Sequence, residues 1–407
     1  MVFRPYLKSA LALAKEVALP ELVAAAVNTR EEAVLPWLAL SLTPGLGPTR
    51  ARRIVELFGT VAAVFRASLT ELEATGMMAS SAQALGTGKS LDLAREEYVR
   101  ATAAGAQVVA IDDPVYPTRL KEIYDPPLAF YVRGTIDILS QPGLAVIGTR
   151  HPTPYGTGMS ERLACDLARQ GLVIFSGMAR GVDTAGHRGA LAAKGKTVAV
   201  LGTGVDVIYP KENKRLAEQI LASGGALISE FPMGTAAFPQ NFPIRNRIIS
   251  GLSAGVLVIE AAEYSGTRIT ARCALEQSRE VYAVPGNVTN KNAWGPNTLI
   301  KQGAKLVATW EDVWEELPTD IRLHLSPAAL ESQSTGTASL FPDETEMSPY
   351  EKRIFKLLKA DEATHIDDIV ELLEPEVSSS EIFAALFELE LSGKVKQLPG
   401  KNFVRSL

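Results

Sequence analysis

The sequence predicts an α/β fold in which a doubly wound parallel sheet lies between a helical N-terminal region and a small C-terminal helical unit. Three observations favour this fold class. Short apolar runs alternate with amphipathic segments over residues 144–309, residues 31–100 carry helical patterns with few strand signals, and three helical patterns with a two-stranded ribbon follow residue 346. Regular alternation of strand and helix is typical of right-handed βαβ units around a parallel sheet.

The predicted strands are short apolar runs, several of which end in glycine-rich turns. These strand-and-turn segments cover residues 106–113, 125–134, 144–150, 172–183, 197–204, 226–230, 255–261, 280–286 and 305–309. The intervening helices are predicted at residues 158–170, 184–193, 211–222, 244–251 and 269–278. Runs this apolar are typical of strands that are buried on both faces.

The chain divides into five predicted regions: a leader at 1–30, a helical domain at 31–105, the sheet domain at 106–317, a flexible linker at 318–346 and a winged-helix domain at 347–407. The linker is rich in Ser, Thr, Pro, Ala and acidic residues and has no sustained apolar period. Charged residues interrupt the apolar stretch of the leader, so we expect an amphipathic helix or a flexible leader and no membrane span.

Glycine turns mark the predicted helical domain. Gly45, Leu46 and Gly47 separate two helical patterns, and a second, degraded copy of this arrangement surrounds Gly76. One interpretation is a helix–hairpin–helix motif, whose glycine turn offers backbone N–H groups to a DNA phosphate. The other is a plain helical hairpin that uses glycines for a tight turn. The sequence leaves both interpretations open.

Composition excludes several classes of function. The 46% hydrophobic and 21% charged residues are ordinary for a soluble globular protein. Two cysteines are too few for a disulfide framework and indicate a reducing cytoplasm. Four scattered histidines show no ligand spacing, so no metal site is predicted. The formal net charge is −5, yet the segment 141–315 is net positive and is the one expected to attract a polyanion.

An anion site is predicted where the apolar strand at 255–259 ends. A Ser-Gly-Thr turn at 265–267 follows this strand and precedes a helical segment. Backbone N–H groups at a helix N-terminus attract anions, because they lack partners and the helix dipole is positive there. Arg245 and Arg247, which precede the strand, could add bidentate phosphate contacts. The sequence therefore predicts a phosphate site.

Three further turns, at 148–150, 176–181 and 202–204, are expected at the same edge, because ligands of parallel sheets bind beyond the carboxyl ends of the strands. Several separated cations suit a chain of phosphates better than one mononucleotide. Four arginines are expected to gather along this edge: Arg150, Arg180, Arg245 and Arg247. Three aromatic residues near them would either stack on bases or anchor their loops to the core: Phe238, Phe242 and Tyr264.

Signals for catalysis and for cofactors are weak. The G-x-G-x-x-G pattern is incomplete, because Val207 stands at its third glycine position, and Gln83 stands where a P-loop needs its first glycine. We therefore predict no nucleotide cofactor and no ATPase activity. Asp183 and His187, one helical turn apart, are the best catalytic candidates, but we expect them to cap and brace a helix. No catalytic residue is assigned.

The C-terminal unit has the layout of a winged helix, with helices predicted at 349–358, 366–373 and 380–392 and a ribbon after them. Winged helices usually bind DNA through the third helix. Here that helix carries Glu381, Glu388 and Glu390 and has no Lys or Arg. Like charge repels a duplex groove, so we expect this domain to contact protein rather than DNA.

Several ordered motifs in residues 110–310 identify a resemblance: GTRHPTPYG, SGMARGVDTAGHRGAL, GTGVDVIYPKENKRL, FPQNFPIRNRIISG, YSGTRIT and NTLIKQGA. Together they closely resemble the DNA-processing protein A (DprA, or Smf) family. This resemblance implies an extended Rossmann fold, flanked by a sterile-alpha-motif-like or helix–hairpin–helix domain and a winged helix. It also implies a cytoplasmic, homodimeric protein that binds single-stranded DNA and loads the RecA recombinase in natural transformation.

The resemblance places the family's DNA pocket on particular residues of this chain. With the neighbouring positions of the same turns, the predicted DNA-binding residues are Gly148, Thr149, Arg150, Ser176, Gly177, Arg180, Lys211, Arg245, Asn246, Arg247, Gly266 and Thr267. Many members have Gly-Ser-Arg where this chain has Gly-Thr-Arg, a change that keeps the arginine.

A related enzyme family supplies the alternative function. Cytokinin-activating nucleoside-monophosphate phosphoribohydrolases share this fold and carry a PGGxGTxxE motif with a catalytic glutamate. In this chain Thr270 stands at the glutamate position. We therefore expect a DNA-binding protein without enzymatic activity, with nucleotide hydrolysis as the alternative.

Overall fold

The computed structural model describes residues 31–325, 347–360, 362–374 and 377–405. The predicted leader at 1–30 and residues 326–346 of the predicted linker lie outside these ranges. Within them, no helix is both long enough and apolar enough to span a lipid bilayer.

A nine-stranded sheet forms the centre of the fold, with the strand order β1-β2-β6-β5-β4-β3-β7-β8-β9. The strands are β1 Gln107–Ala110, β2 Ala129–Gly134, β3 Gly143–Ile147, β4 Val173–Ser176, β5 Thr197–Val200, β6 Ala226–Ser229, β7 Gly255–Val258, β8 Glu280–Ala283 and β9 Lys305–Leu306. All pairs from β6 to β9 are parallel, whereas β1 and β2 are added antiparallel at one edge. The predicted α/β class is confirmed, with a sheet in which β2 alone runs opposite to the other eight strands.

Helices cover both faces of the sheet, which explains why the central strands are apolar along their whole length. The helices of the sheet domain are α7 Thr118–Lys121, α8 Pro154–Arg169, α9 Val182–Ala192, α10 Lys214–Ala222, α11 Asn241–Leu252, α12 Thr267–Glu276, α13 Trp294–Lys301, α14 Trp310–Glu316 and α15 Thr319–His324. The helices α8 and α9 pack so closely that a Cβ on Gly189 would lie 2.2 Å from the carbonyl oxygen of Glu161. Position 189 is therefore a glycine, because a side chain there would collide with α8.

Six helices precede the sheet: α1 at 31–42, α2 Pro48–Phe58, α3 Val61–Val64, α4 Leu69–Ala74, α5 Ala79–Gly86 and α6 Lys89–Ala103. Gly45 and Gly76 have φ angles of +74° and +75° in the turns after α1 and α4, which are backbone conformations that favour glycine. Both predicted helical hairpins are therefore present, while their role in DNA binding stays a prediction.

Glu97 joins this helical region to the sheet domain. It lies on α6, its side chain is 1% exposed, and its Oε1 accepts a hydrogen bond of 2.5 Å from the backbone N–H of Met233. Arg100 forms an ion pair with the other carboxylate oxygen. Burial of a carboxylate is tolerated here because both oxygens have partners.

Several predicted helix bounds differ from the structure by a few residues, and two of the differences have a clear physical reason. The first helix after β3 begins at Pro154, because Thr153 caps it, and not at residue 158. The helix α15 lies within the predicted linker, and its Ile321 packs in the same apolar cluster as Leu167. Ile321 is the one buried residue of this short helix and Leu325 follows the helix in the same cluster, a signal too brief to register as a sustained period.

The C-terminal unit contains α16 Pro349–Leu357, α17 Ile366–Leu373 and α18 Ser379–Leu391. Its strands β10 Thr364–His365, β11 Val395–Leu398 and β12 Asn402–Arg405 form an antiparallel sheet in the order β10-β12-β11. Ser378 caps α18 through a reciprocal pair of hydrogen bonds with Glu381. The predicted winged helix is confirmed, with β10 as a third short strand. Phe383 and Phe387 are 53% and 59% exposed on the outer face of α18.

Candidate nucleic-acid interface

A cavity of about 570 Å³ opens where the order of the strands reverses direction in the sheet. From β3 the chain proceeds outward through β4, β5 and β6, then returns to place β7 on the other side of β3. The loops that follow β3 and β7 therefore diverge and leave a crevice at their carboxyl ends. Walls come from the turn after β3, from α11, and from the turn between β7 and α12.

This cavity brings together seven of the twelve predicted DNA-binding residues: Gly148, Thr149, Arg150, Arg245, Asn246, Gly266 and Thr267. Asp183 and Thr270 also line it, as do two residues that the sequence analysis did not select, His151 and Tyr209. His151 directly follows the predicted Gly-Thr-Arg turn, and Tyr209 precedes the predicted Lys211 by two positions. Extending each predicted turn by a few residues would have found both.

The turn after β3 is held rigidly against its neighbours. The N–H of Thr149 donates to the carbonyl oxygen of Glu260 at 2.7 Å, and a Cβ on Gly148 would lie 2.6 Å from the side chain of Val182. The backbone of this turn therefore fixes the position from which the exposed Arg150 side chain projects. The Arg150 guanidinium carbon lies 5.4 Å from the centroid of the Phe242 ring, a distance typical of a cation–π contact.

Arg245 supplies a buried positive charge to the cavity. It is 4% exposed, and its Nη1 donates to the carbonyl oxygens of Gly177, at 2.7 Å, and of Val200. Its Nε has no hydrogen-bond partner among the described residues. Burial lowers the pKa of Arg245 to about 10, against the opposing effect of Asp183, so the guanidinium remains charged at neutral pH. A buried, incompletely paired cation favours an anionic ligand.

Asp183 sets the shape of the turn after β4. Its Oδ2 accepts hydrogen bonds from the N–H groups of Gly177, at 3.1 Å, and Ala179, at 3.3 Å. Burial raises the pKa of Asp183 to about 6, although Arg245 and these N–H groups act in the opposite direction. The carboxylate therefore braces the turn at the start of α9.

His187 has different partners, so the two candidate catalytic residues do not form a hydrogen-bonded pair. Its Nδ1 lies 2.7 Å from Oγ1 of Thr197, which donates its own proton to the carbonyl oxygen of Ile174. The proton of the neutral imidazole is therefore on Nδ1. Complete burial lowers the pKa of His187 to about 3, and its Nε2 has no partner among the described residues.

Ser176 and Gly177 support the cavity without lining it. The Ser176 hydroxyl donates to the carbonyl oxygen of Val146 at 2.6 Å within the sheet. A Cβ on Gly177 would lie 2.6 Å from both the Arg245 guanidinium and the Asp183 carboxylate. Only glycine therefore allows the Arg245 and Asp183 side chains to meet the backbone of this turn.

Arg180 and Lys211 are exposed and lie outside the cavity lining. The Nε of Arg180 donates to Glu212 at 2.6 Å, and Glu212 follows Lys211 in a single turn of 3-10 helix. Asn213 ties this turn to the one after β4 through a hydrogen bond of 2.8 Å to the carbonyl oxygen of Met178. These two cations therefore belong to one neighbouring surface.

The expectation that the four arginines share one edge of the sheet is wrong for Arg247. Its guanidinium donates to Glu230 at 2.8 Å and to Asp125 at 2.9 Å, and it lines a second cavity of about 890 Å³. Residues two apart on a helix point about 200° apart, so Arg245 and Arg247 face opposite sides of α11. The predicted helix at 244–251 already contained this periodicity.

The start of α12 completes the wall opposite Arg150. Gly266 is the residue before the first helical turn, it is exposed, and a Cβ there would meet no atom within 4 Å. Thr267 is buried, and its N–H donates to the Ser265 hydroxyl oxygen at 3.2 Å. The positive end of the helix dipole therefore faces the same space as Arg150 and Arg245.

Comparisons with known proteins agree with this architecture. The family described as DNA recombination-mediator protein A matches residues 107–318, and the DprA winged helix domain matches residues 338–401. Protein Smf of Escherichia coli (strain K12) is 42% identical over 300 residues, which cover 73% of this chain and 77% of that protein. Protein Smf of Synechocystis sp. is 33% identical over 396 residues, which cover 91% and 98%.

A solved structure has the same arrangement. The X-ray structure of DNA processing protein A (DprA) from Streptococcus pneumoniae aligns with a TM-score of 0.61 and 34% identity, covering 69% of this chain and 96% of that one. Both the family match and these relatives confirm the resemblance that the turn motifs indicated. The chain belongs to the DNA-processing protein A (DprA/Smf) family of DNA recombination-mediator proteins.

Proposed function

We propose that the chain binds single-stranded DNA in the cavity at the carboxyl ends of β3 and β7 and acts there without catalysing a reaction. The observation that carries this proposal is Arg245, a buried cation whose Nε is unpartnered among the described residues. With Arg150 and the N-terminus of α12, it places three positive features around one space. This arrangement supports binding of the phosphates of a strand through Gly148, Thr149, Asn246, Gly266 and Thr267.

Aromatic side chains at the mouth of the cavity favour a single strand over a duplex. Tyr264 is 90% exposed, and the Phe242 ring is tilted against Tyr209 with centroids 5.8 Å apart. Unstacked bases can lie on such rings, whereas bases within a duplex cannot reach them. Stacking needs no particular base, so we expect binding with little dependence on sequence.

Small-nucleotide hydrolysis, the alternative function, finds less support. Thr270 lies buried in the wall of the cavity at the position of the hydrolase glutamate. Asp183 is the one carboxylate among the described residues that line the cavity, and two backbone N–H groups engage it. A general acid or base must reach its substrate, and this carboxylate is committed to the fold.

We further propose that the protein is a cytoplasmic homodimer that hands single-stranded DNA to the RecA recombinase during natural transformation. Membership of a family of DNA recombination mediators supports the recombination role. The two cysteines, both free, support a reducing compartment. Arg180 and Lys211 would extend the positive surface along which the strand reaches the cavity.

The test of the proposed function is a competition experiment on the full chain. We expect a fluorescent oligothymidine to be displaced by unlabelled single strand at far lower concentration than by duplex or by a nucleoside monophosphate. Equal displacement by the mononucleotide, together with release of free base from it, would establish the hydrolase alternative. A chain that neither binds the oligothymidine nor releases a free base would contradict both functions.

An arginine exchange locates the site. Arg150→Ala should weaken oligothymidine binding several-fold and lower the slope of log affinity against log salt by about 0.7, the effect of losing one phosphate contact to a single strand. Arg272→Ala is the matched control, because Arg272 is 81% exposed and pairs with Glu276 away from the cavity. Equal effects of the two exchanges would remove Arg150 from the interface.

A further inference from the structure

A second contact between an arginine and an aromatic ring lies on the far side of the turn at 265–267. The guanidinium carbon of Arg268 is 5.4 Å from the centroid of the Trp294 ring. Nη1 of Arg268 donates to the carbonyl oxygen of Glu263 at 2.8 Å, which fixes the guanidinium over the indole. The first such contact, Arg150 on Phe242, lies inside the cavity.

Trp294 is held in place although it is exposed. It is 38% exposed, whereas Trp37 is 7% exposed and Trp310 and Trp314 pack against the apolar core. The N–H of Gly295 donates to the carbonyl oxygen of Ala261 at 2.8 Å, and a Cβ on Gly295 would lie 2.6 Å from that oxygen. The start of α13 is therefore fixed against the loop that lines the cavity.

Tyr264 connects the two contacts. It lines the cavity on one side, and on the other it follows Glu263, whose carbonyl oxygen holds Arg268. Exposed Lys291 lies three residues before Trp294 in the chain, in the 3-10 turn that leads into α13. An exposed aromatic and cationic surface therefore continues from the cavity over the turn at 265–267 to α13.

We propose that Trp294 and Arg268 form a second base-stacking subsite, which takes an unstacked nucleobase of the strand after it leaves the cavity. This subsite rests on the proposed function, since it extends the path of the same single strand. A base stacks on an indole face or on the plane of a guanidinium irrespective of its identity. The rigid support of both side chains lowers the entropy lost when the base is bound.

The experiment compares oligothymidines of increasing length, from about 4 to 16 nucleotides, on the full chain. We expect Trp294→Ala to leave the affinity for the shortest strands unchanged, because these fill the cavity alone. Once the strand reaches α13, wild-type affinity should rise by a further factor of about five or more, and the variant should lack this increase. Trp294→Phe should restore most of it, since a phenyl ring still stacks.

Two controls make each outcome decisive. Tyr124→Ala removes another aromatic residue, 81% exposed beside the second cavity, and should follow the wild-type length dependence. Light scattering should give the wild-type molar mass for Trp294→Ala. A length dependence unaltered by Trp294→Ala, or a change in molar mass, would overturn the subsite alone. A wild-type chain that binds no single strand of any length would overturn the proposed function itself.

Discussion

The two sides of α11 carry buried arginines in opposite electrostatic settings. Arg245, on the side of the strand ends, meets two carbonyl oxygens and the single carboxylate of Asp183, and its Nε is left without a partner among the described residues. Arg247, two positions later, has a bidentate partner in Glu230 and a further one in Asp125. The two cavities beside them are both large enough for a ligand.

The two buried arginines differ in how far their neighbours compensate the positive charge. Burial lowers the pKa of Arg245, because its neighbours compensate its charge incompletely. Burial acts on Arg247 in the same direction, but Glu230 and Asp125 outweigh it and raise the pKa. The larger cavity is therefore lined by a charge that is already neutralised, whereas the smaller one is lined by the charge that we propose a phosphate compensates.

The largest expected effect is on stability. Arg247→Met should lower the free energy of unfolding by up to about 3 kcal/mol, because it leaves the partly buried Glu230 carboxylate, 17% exposed, without its partner. Urea denaturation measures this loss. Replacing Glu230 by Met as well should recover much of it, and the folded double variant should bind oligothymidine as the wild type does. Lost binding in that stable variant would join Arg247 to the DNA site after all.

The second largest effect is on DNA affinity. The double exchange Arg245→Met, Asp183→Asn removes the cation together with its carboxylate partner, so that no unpaired charge remains in the protein. We expect oligothymidine affinity to fall by about 10- to 100-fold, the equivalent of about 1.5–3 kcal/mol for a hydrogen bond to a charged group. Fluorescence anisotropy measures the affinity, and the urea midpoint checks the fold. An affinity within twofold of the wild type would contradict the role of Arg245.

A smaller effect should appear in the pH dependence of binding. The pKa of Asp183 is raised to about 6, so this carboxylate is charged at neutral pH and becomes neutral as the pH falls through about 6. Its protonation leaves the positive charge of Arg245 unopposed, so phosphate affinity should increase several-fold between about pH 7.5 and pH 5. Asp183→Asn should bind more tightly at neutral pH and show a flatter profile.

The control for this profile is the other histidine position in the same cavity, His151. The wild type and Asp183→Asn should therefore both carry His151→Gln in the measurement. Equal pH slopes of affinity in these two proteins would exclude Asp183 as the group responsible.

The pH dependence of folding stability has the opposite sign to that of binding at His187, whose pKa in the folded state is about 3, below its ordinary value. Its contribution is fully present above about pH 6.5 and is lost as the pH falls.

The smallest expected effect concerns the winged helix. Phe383 and Phe387 form an exposed apolar pair one helical turn apart on α18, and Glu381, Glu388 and Glu390 share the exposed part of this helix. Such a surface suits a protein groove rather than a phosphate backbone. Phe383→Ser with Phe387→Ser should therefore leave oligothymidine affinity unchanged. A loss of affinity or of its salt dependence would show that this helix contacts DNA.

The fold was largely predictable because its signals are local and repeated. The central parallel strands are apolar runs covered on both sides, and the turns after β3, β4, β5 and β7 carry small residues. The antiparallel pairing of β2 with β6 joins strands that are far apart in the chain, and no local pattern contains it. Likewise, the helix α15 has too few buried residues to produce a period.

The site was predictable only in part, because sequence shows which residues are charged and not what neutralises them. Arg150 and Arg245 do line one cavity, as their turns indicated. The pairing of Arg247 with Asp125 spans 122 residues of chain, and the pairing of Arg180 with Glu212 spans 32. Neither partner could be identified before the strands were placed side by side. Trp294 escaped notice for the same reason, since its contact with Arg268 arises from packing.

The buried carboxylate of Glu97 has a consequence for how the molecule can move. Its bond to the Met233 amide fastens the helical region to the loop that leads to Ala237 and Pro239, which line the cavity. Detaching those helices would leave the Glu97 carboxylate or the Met233 amide buried without a hydrogen-bond partner, which costs free energy. We therefore expect α6 and this loop to move together, so that a displacement of the helical region reaches the wall of the cavity.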